Sequence, residues 1–310
     1  MRLLDIYTTK SFWKHMFSFK TFLSAFLTST GTIWLGLEVI NFFNSGLADK
    51  IKTSIDIWAF LAVSVLYAIF RSKPNRLYSC RLKGRDTIIE IYIGDYFDDT
   101  EGAFIISSNT SFDTSMNDDI ISEKSVQGQF TRRYYGTAIN HLDSDLSQVL
   151  NCINPISIND NKKGKAALYE VGTTASIKVK DRKAYFVALA SMNNSGSAYS
   201  KKEDVLIAIS RLWNYIIEYG GIEPLIIPVV GTGFSRLPDS RDIMVKEIIK
   251  SFVAACSTRR FTERLRIVIS PNDMKKHDVN ISELVEFLCY TCKYTHFDNE
   301  TTSSIGQGIQ

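Results

Sequence analysis

The chain has 310 residues, 45% of them hydrophobic, and a formal net charge of +3. That supplies a sizeable core and too little charge for a nucleic-acid footprint, so no nucleic-acid partner is expected. Its five cysteines are scattered and odd in number, which argues against a disulfide framework and fits a reducing compartment. Cys289 and Cys292 form a C-x-x-C with no second pair to complete a zinc site, and they read as core or half-buried thiols on a helix, so no metal is expected.

Residues 1–20 form a short basic segment, expected to be cytoplasmic, with Arg2, Lys10, Lys14 and Lys20. Thr21–Phe43 follows, with Glu38 as its one ionisable side chain. As a helix it would be about 34 Å long, enough for a hydrocarbon core of about 30 Å. A second apolar run, Ile55–Phe70, is apolar all round and ends abruptly at Arg71 and Lys73. It predicts a second span at about residues 53–72. Basic residues flank the pair on its outer sides. The positive-inside rule therefore puts both termini in the cytoplasm and the loop Asn44–Ser54 outside, in a multi-pass inner-membrane topology in contact with lipid. On the first span Ser24, Thr28, Thr32 and Gly36 recur every four residues. They form a ridge of small side chains that permits close helix–helix approach, and hence homo-oligomerisation.

Residues 73–84 read as a basic linker, and residues 85–294 as a soluble α/β domain of strands alternating with helices. Strands are expected at Thr87–Ile93, Gly102–Ser107, Ala184–Ala190, Leu225–Val230 and Leu265–Ser270. Helices are expected from Ser125 to about His141 and at Lys201–Tyr219, Arg241–Cys256 and Ile281–Tyr294. Residues 295–310 are a polar tail. The fold class is thus a three-layer α/β/α domain preceded by a two-helix transmembrane hairpin.

Loops at the strand ends carry the chemistry. Gly231-Thr232-Gly233-Phe234-Ser235-Arg236 follows an Ile/Val-rich strand and precedes a helix, where glycines let backbone N–H groups approach a phosphate. Asp95, in Gly94-Asp95-Tyr96, can accept from an exocyclic amine or a ribose hydroxyl, and Asn109 both donates and accepts, which suits a ribose diol. Each also reads as an ordinary turn residue or strand-end cap. Ser125-Val126-Gln127-Gly128-Gln129 opens a helix and can present backbone to phosphate. The four histidines lie outside these loops, and no P-loop or H-E-x-x-H occurs.

In order, these pieces resemble the macro-domain family, which binds ADP-ribose and related nucleotides. Gly94-Asp95 looks like that family's adenine-contacting pair, and Ile105–Asn109 like its strand ending in a ribose-contacting Asn. Ser125–Phe130 falls at the first phosphate loop, and Pro228–Gly233 is similar to the second. Gly164-Lys165-Ala166 resembles the segment between them. Three departures stand out, one being Phe234-Ser235-Arg236 after Gly233, where the family often has an aromatic and a glycine. Only Gly128 remains of the first loop's glycine cluster, and Gln129 stands where hydrolytic members often carry an acid. Both imply a reader rather than a hydrolase, with Arg236 as an added phosphate partner. Two spans before such a domain resemble the membrane effectors of type II Thoeris antiphage systems. That resemblance implies a sensor of an ADP-ribose-derived signal, histidine–ADP-ribose made by a TIR-domain partner. It also implies no bound cofactor, and self-association, membrane disruption and abortive infection as the output. A membrane-anchored ADP-ribosyl hydrolase is the alternative.

Overall fold

A computed structural model of the chain describes residues 17–54, 56–73, 75–116, 120–192, 198–230 and 240–297. The chain divides into two compact units, with the boundary between Asn75 and Arg76.

In the first unit Ser18 caps helix α1 (Phe19–Phe43), accepting from the Thr21 N–H at 3.3 Å. Helices α2 (Ser45–Ser54) and α3 (Ile57–Arg71) follow, the latter capped by Asp56. Among the described residues α1 alone is long and apolar enough to cross a membrane as one helix. The second expected span is built differently. Asp56 restarts the helix, and α3, with 15 residues, is about 23 Å long. Helices α2 and α3 meet the length and hydropathy test only as a pair, bent by 83°.

Packing within this unit is inside-out relative to a soluble protein. Helix α1 packs against α3. The buried residues are small: Ala25, Ala48, Ser64, Ala68 and Ser72. Leu27, Trp34, Leu35 and Phe43 of α1, and Trp58, Leu66 and Phe70 of α3, are all exposed. The Ser24, Thr28, Thr32 and Gly36 ridge is exposed as well, so the contact with α3 leaves it uncovered.

The second unit is a mixed sheet in the order β1-β2-β10-β9-β3-β7-β6, with β8 paired to β7. The strands are β1 (Leu77–Arg81), β2 (Ile88–Ile93), β3 (Ala103–Asn109), β6 (Thr174–Val179), β7 (Arg182–Met192), β8 (Ala198–Tyr199), β9 (Leu225–Pro228) and β10 (Arg264–Ile269). A separate two-residue pair, β4 (Ser157–Ile158) and β5 (Ala167–Leu168), lies apart. Strands β2, β10, β9, β3 and β7 run parallel, while β1 and β6 close the sheet edges antiparallel. The central strands are Ile/Val-rich runs buried on both faces, as parallel strands between helical layers must be.

Helices α4 (Val126–Tyr134) and α5 (Ile139–Leu150) cover one face. There Phe130, Leu142 and Leu146 join Phe104, Ile106, Phe186 and Ile177 in one core. Helices α6 (Lys202–Tyr219), α7 (Arg241–Thr258) and α9 (Ile281–Tyr294) form the other layer, with the short α8 (Pro271–His277) after β10. In α6 the buried residues Val205, Ala208, Ile209, Leu212, Trp213 and Ile216 trace the stripe expected of a helix on a sheet.

Three features depart from the sequence reading. Residues 77–81, assigned to the linker, form β1. The single helix expected from Ser125 to His141 breaks at Gly136, whose φ of 60° leaves the helical region, and continues as α5. The cysteines are not all free thiols, because β1 runs alongside α9 and Cys80 is disulfide-bonded to Cys289. Cys256 and Cys292 are buried thiols and Cys152 is exposed.

Candidate active-edge site of the mixed sheet

The sheet topology selects one crevice. From the end of β3 the chain proceeds to β6 and β7 on one side, whereas from the end of its neighbour β9 it proceeds to β10 on the other. In an open α/β sheet ligands bind outside the carboxyl ends of the strands at such a switch point. Here the two strands also part physically. They pair only at Ala103↔Leu225 and Phe104↔Ile226. Beyond that, the Tyr96 hydroxyl enters between them and donates to the Ile105 carbonyl at 2.7 Å and the Ile226 carbonyl at 3.1 Å. Burial pushes the Tyr96 phenol far above its ordinary pKa, so it remains a donor. Tyr96, expected at the ligand, therefore wedges the sheet open from within the core.

The turn that leaves β3 is built around Asn109, which is 4% exposed. Its Oδ1 accepts from the N–H groups of Ser111 and Asp113, both at 3.1 Å, and its Nδ2 donates to Asp113 Oδ2 at 2.9 Å. These bonds hold buried Phe112 at a φ of +50°, a region that costs a non-glycine residue energy and persists only when its surroundings fix it. The Asp113 carboxylate, 2% exposed, also accepts from the Lys165 N–H at 2.6 Å and faces the buried Lys162 ammonium at 3.4 Å. Its carbonyl accepts from Gln127 Nε2 at 2.6 Å. One closed network thus ties Asn109 to Gln127, at the start of α4, and to the loop around Gly164. Gly164 is obligatory there: its φ is +87°, and a Cβ would stand 2.3 Å from Asp113 Oδ1.

At the start of α4, Ser125 Oγ accepts from the Gly128 N–H at 3.0 Å. That satisfies one of the N–H groups a helix start leaves unpaired; the others remain for solvent or an anion. Gly128 has a packing reason of its own, since a Cβ there would lie 2.3 Å from the Ser122 carbonyl. The Gln129 amide donates to the Lys124 carbonyl at 3.0 Å. Val126 is half-buried against the core under α4. Asp95 accepts from the Phe97 N–H at 3.0 Å and pairs with Arg133 at 3.0 Å, an exposed contact open to exchange with another donor. Gly231, Thr232, Gly233, Phe234, Ser235 and Arg236 lie outside the described residues. Asn109 and Ser125–Gln129 are therefore brought together through Asp113, while Asp95 is tied separately to the end of α4.

Sequence reasoning passed over Asp113, Lys162, Thr114 and Asp143. Thr114 Oγ1 donates to Asp143 Oδ1 at 2.8 Å, and the Lys165 ammonium pairs with the same oxygen at 2.5 Å. Burial, the largest influence, raises the Asp143 carboxyl, but the hydrogen bonds from Lys165 and Thr114 outweigh it and hold the group below its ordinary value. The signal available in the sequence was the Lys-rich stretch ending at Gly164-Lys165. Among the described residues no cluster of His, Cys, Asp or Glu is fit to hold a metal ion.

Residues 89–270, more than half of the chain, match the family described as "Thoeris protein ThsA, Macro domain". The chain belongs to that family. It is 28% identical over 206 residues to the Thoeris protein ThsA of Bacillus amyloliquefaciens (strain Y2), covering 64% of this chain and 67% of that one. Among solved structures it is similar to the Oceanobacillus iheyensis macrodomain with ADP, at 11% identity and a TM-score of 0.44, over 68% of this chain and 99% of that chain. It is also similar to Thermosipho africanus DarTG in complex with ADP-ribose, at 13% identity and a TM-score of 0.39, over 68% of this chain and 47% of that one. The macro-type α/β architecture that the resemblance implied is the one this ThsA-family chain adopts, and its sheet is mixed.

Proposed function

We propose that this chain is a membrane effector whose ThsA-type macro domain senses an ADP-ribose-derived signal at the crevice between the carboxyl ends of β3 and β9. The observation that carries this reading is the switch point, because it brings an internally braced turn and a helix start to one opening. Backbone N–H groups of α4 and the Gly231–Arg236 loop take the diphosphate, and Asp95 exchanges its Arg133 partner for a donor of the ligand. Asn109 and Gln127 act through the shape of the turn, since their side chains are already committed to Asp113.

Sensing fits the site better than hydrolysis. The buried Asp113 carboxylate already accepts from Asn109, Lys162 and Lys165, and Gln129 supplies no acid where a hydrolytic water would need one. The signal is an ADP-ribose conjugate such as histidine–ADP-ribose, supplied by a TIR-domain partner. Its binding favours an arrangement in which the apolar helices of several copies associate in the membrane. The first unit supports that role: its large apolar side chains face outward and its small ones inward, the distribution lipid-facing helices show.

Vesicles carrying the full-length chain and an entrapped dye test this reading. Histidine–ADP-ribose is expected to release the dye, whereas adenosine monophosphate is not. Conversion of the nucleotide without any release would favour the hydrolase instead.

A further inference from the structure

The C-x-x-C on α9 and its partner on β1 have no part in the nucleotide site. Cys80, Cys289 and Cys292 line one open cavity of about 470 Å³, together with Arg81, Lys83, Arg85 and Lys293. A volume of that order accommodates a small peptide-sized molecule. Cys289 is exposed and Cys80 half-buried, so solvent reaches the disulfide from the α9 side. Arg81 is paired with Asp86, and Arg85 is spent on the Cys256 and Ser257 carbonyls. Lys83 and Lys293, both exposed, have no carboxylate partner among the described residues. A surface disulfide thus sits in a positive cavity beside two ammonium groups without carboxylate partners, that of Lys293 lying 5.2 Å from the centre of the Tyr294 ring.

We propose that the Cys80–Cys289 disulfide is a thiol–disulfide exchange site for an anionic low-molecular-weight thiol of the glutathione class. The incoming thiolate attacks Cys289 Sγ, the exposed sulfur. A bond forms between the two sulfurs, the Cys80–Cys289 bond breaks, and its electron pair leaves on Cys80 as a thiolate beside the cationic side chains. The product is a mixed disulfide on Cys289. A second thiol of the same class takes over the bound sulfur, leaving Cys289 reduced and releasing the external disulfide. Cys292, one helical turn further along α9, does not intercept the mixed disulfide. Its burial pushes that thiol up to about 11, so it stays protonated near neutrality. Opening the bond releases β1, the strand by which the chain enters the second unit, from its covalent tie to the last helix of that unit.

The test uses the full-length chain in detergent, purified without reductant. It is exposed to reduced glutathione and, in parallel, to the cationic thiol cysteamine at matched thiolate concentration, with adducts located by peptide mass mapping. Glutathione is expected to open the bond about tenfold faster, the scale of rate gain that charge focusing gives in a lined cleft. Its adduct is expected on Cys289, and the preference should fall to near unity in K83E/K293E. Both substitutions are at exposed positions, so the fold is preserved. Cys80→Ser should abolish the exchange adduct on Cys289. Equal rates for the two thiols, a preference untouched by K83E/K293E, an adduct confined to other cysteines, or five titratable thiols before any thiol is added would each overturn the proposal.

Discussion

Asn109 and Gly164 act as parts of one device at the residue scale. Asn109→Ala strands two buried N–H groups, those of Ser111 and Asp113, and at about 1–3 kcal/mol for each the protein should lose roughly 2–6 kcal/mol. Gly164→Ala meets both a left-handed backbone and the Asp113 carboxylate, and should cost about 1–3 kcal/mol. Denaturant unfolding checks both; a loss under 0.5 kcal/mol, about the scatter of neutral surface changes, would show that the turn is not braced as described. Asp143 adds a pH dependence. Its folded value lies below the ordinary 3.8, so its contribution is full above 3.8 and fades as pH falls through the folded value. The stability gap between the wild type and Asp143→Asn should therefore be constant at neutral pH and close only in acid, and its size is small because the group is partly exposed. The position of Asn109 was legible in the sequence. Its task was not, because a strand-end Asn can hold a ribose or its own turn, and the choice depends on Asp113 and on a loop some fifty residues away.

The small-residue ridge of α1 makes the clearest prediction at the element scale. A Cβ added at Gly36 meets nothing within 4 Å, so Gly36→Leu is tolerated within one chain. If copies associate through this face, the substitution should abolish cross-linked oligomers in membranes while leaving the folded monomer intact; unchanged cross-linking would place the interface elsewhere. Helix α1 was legible from its long unbroken apolar run, α6 from the helical stripe that one-sided burial writes, and β2 and β10 from short apolar runs buried on both faces. Strand β1 was not, since its five residues sit in a basic stretch and gain strand character only by pairing with β2. The break between α4 and α5 depends on the backbone angle of one glycine. Helix α3 is short because Asp56 caps it where the hydrophobic pattern alone would have run on.

Joining these two units makes sense at the scale of the whole molecule if one answers to the other. The helices expose the apolar surface a bilayer would cover, and the ThsA-type domain holds the crevice proposed to take the nucleotide. A ligand can switch such a molecule only by binding one arrangement more tightly than the other. The most direct measurement is calorimetry on the full-length chain in nanodiscs, titrated with ADP-ribose and with histidine–ADP-ribose. The chain should include β1, because removing residues before Arg85 would delete an edge strand and one end of the disulfide. Saturable binding of the histidine conjugate, weakened by Arg236→Ala and by Asn109→Ala, is the predicted result. Absence of heat with both nucleotides from a folded protein would contradict the account.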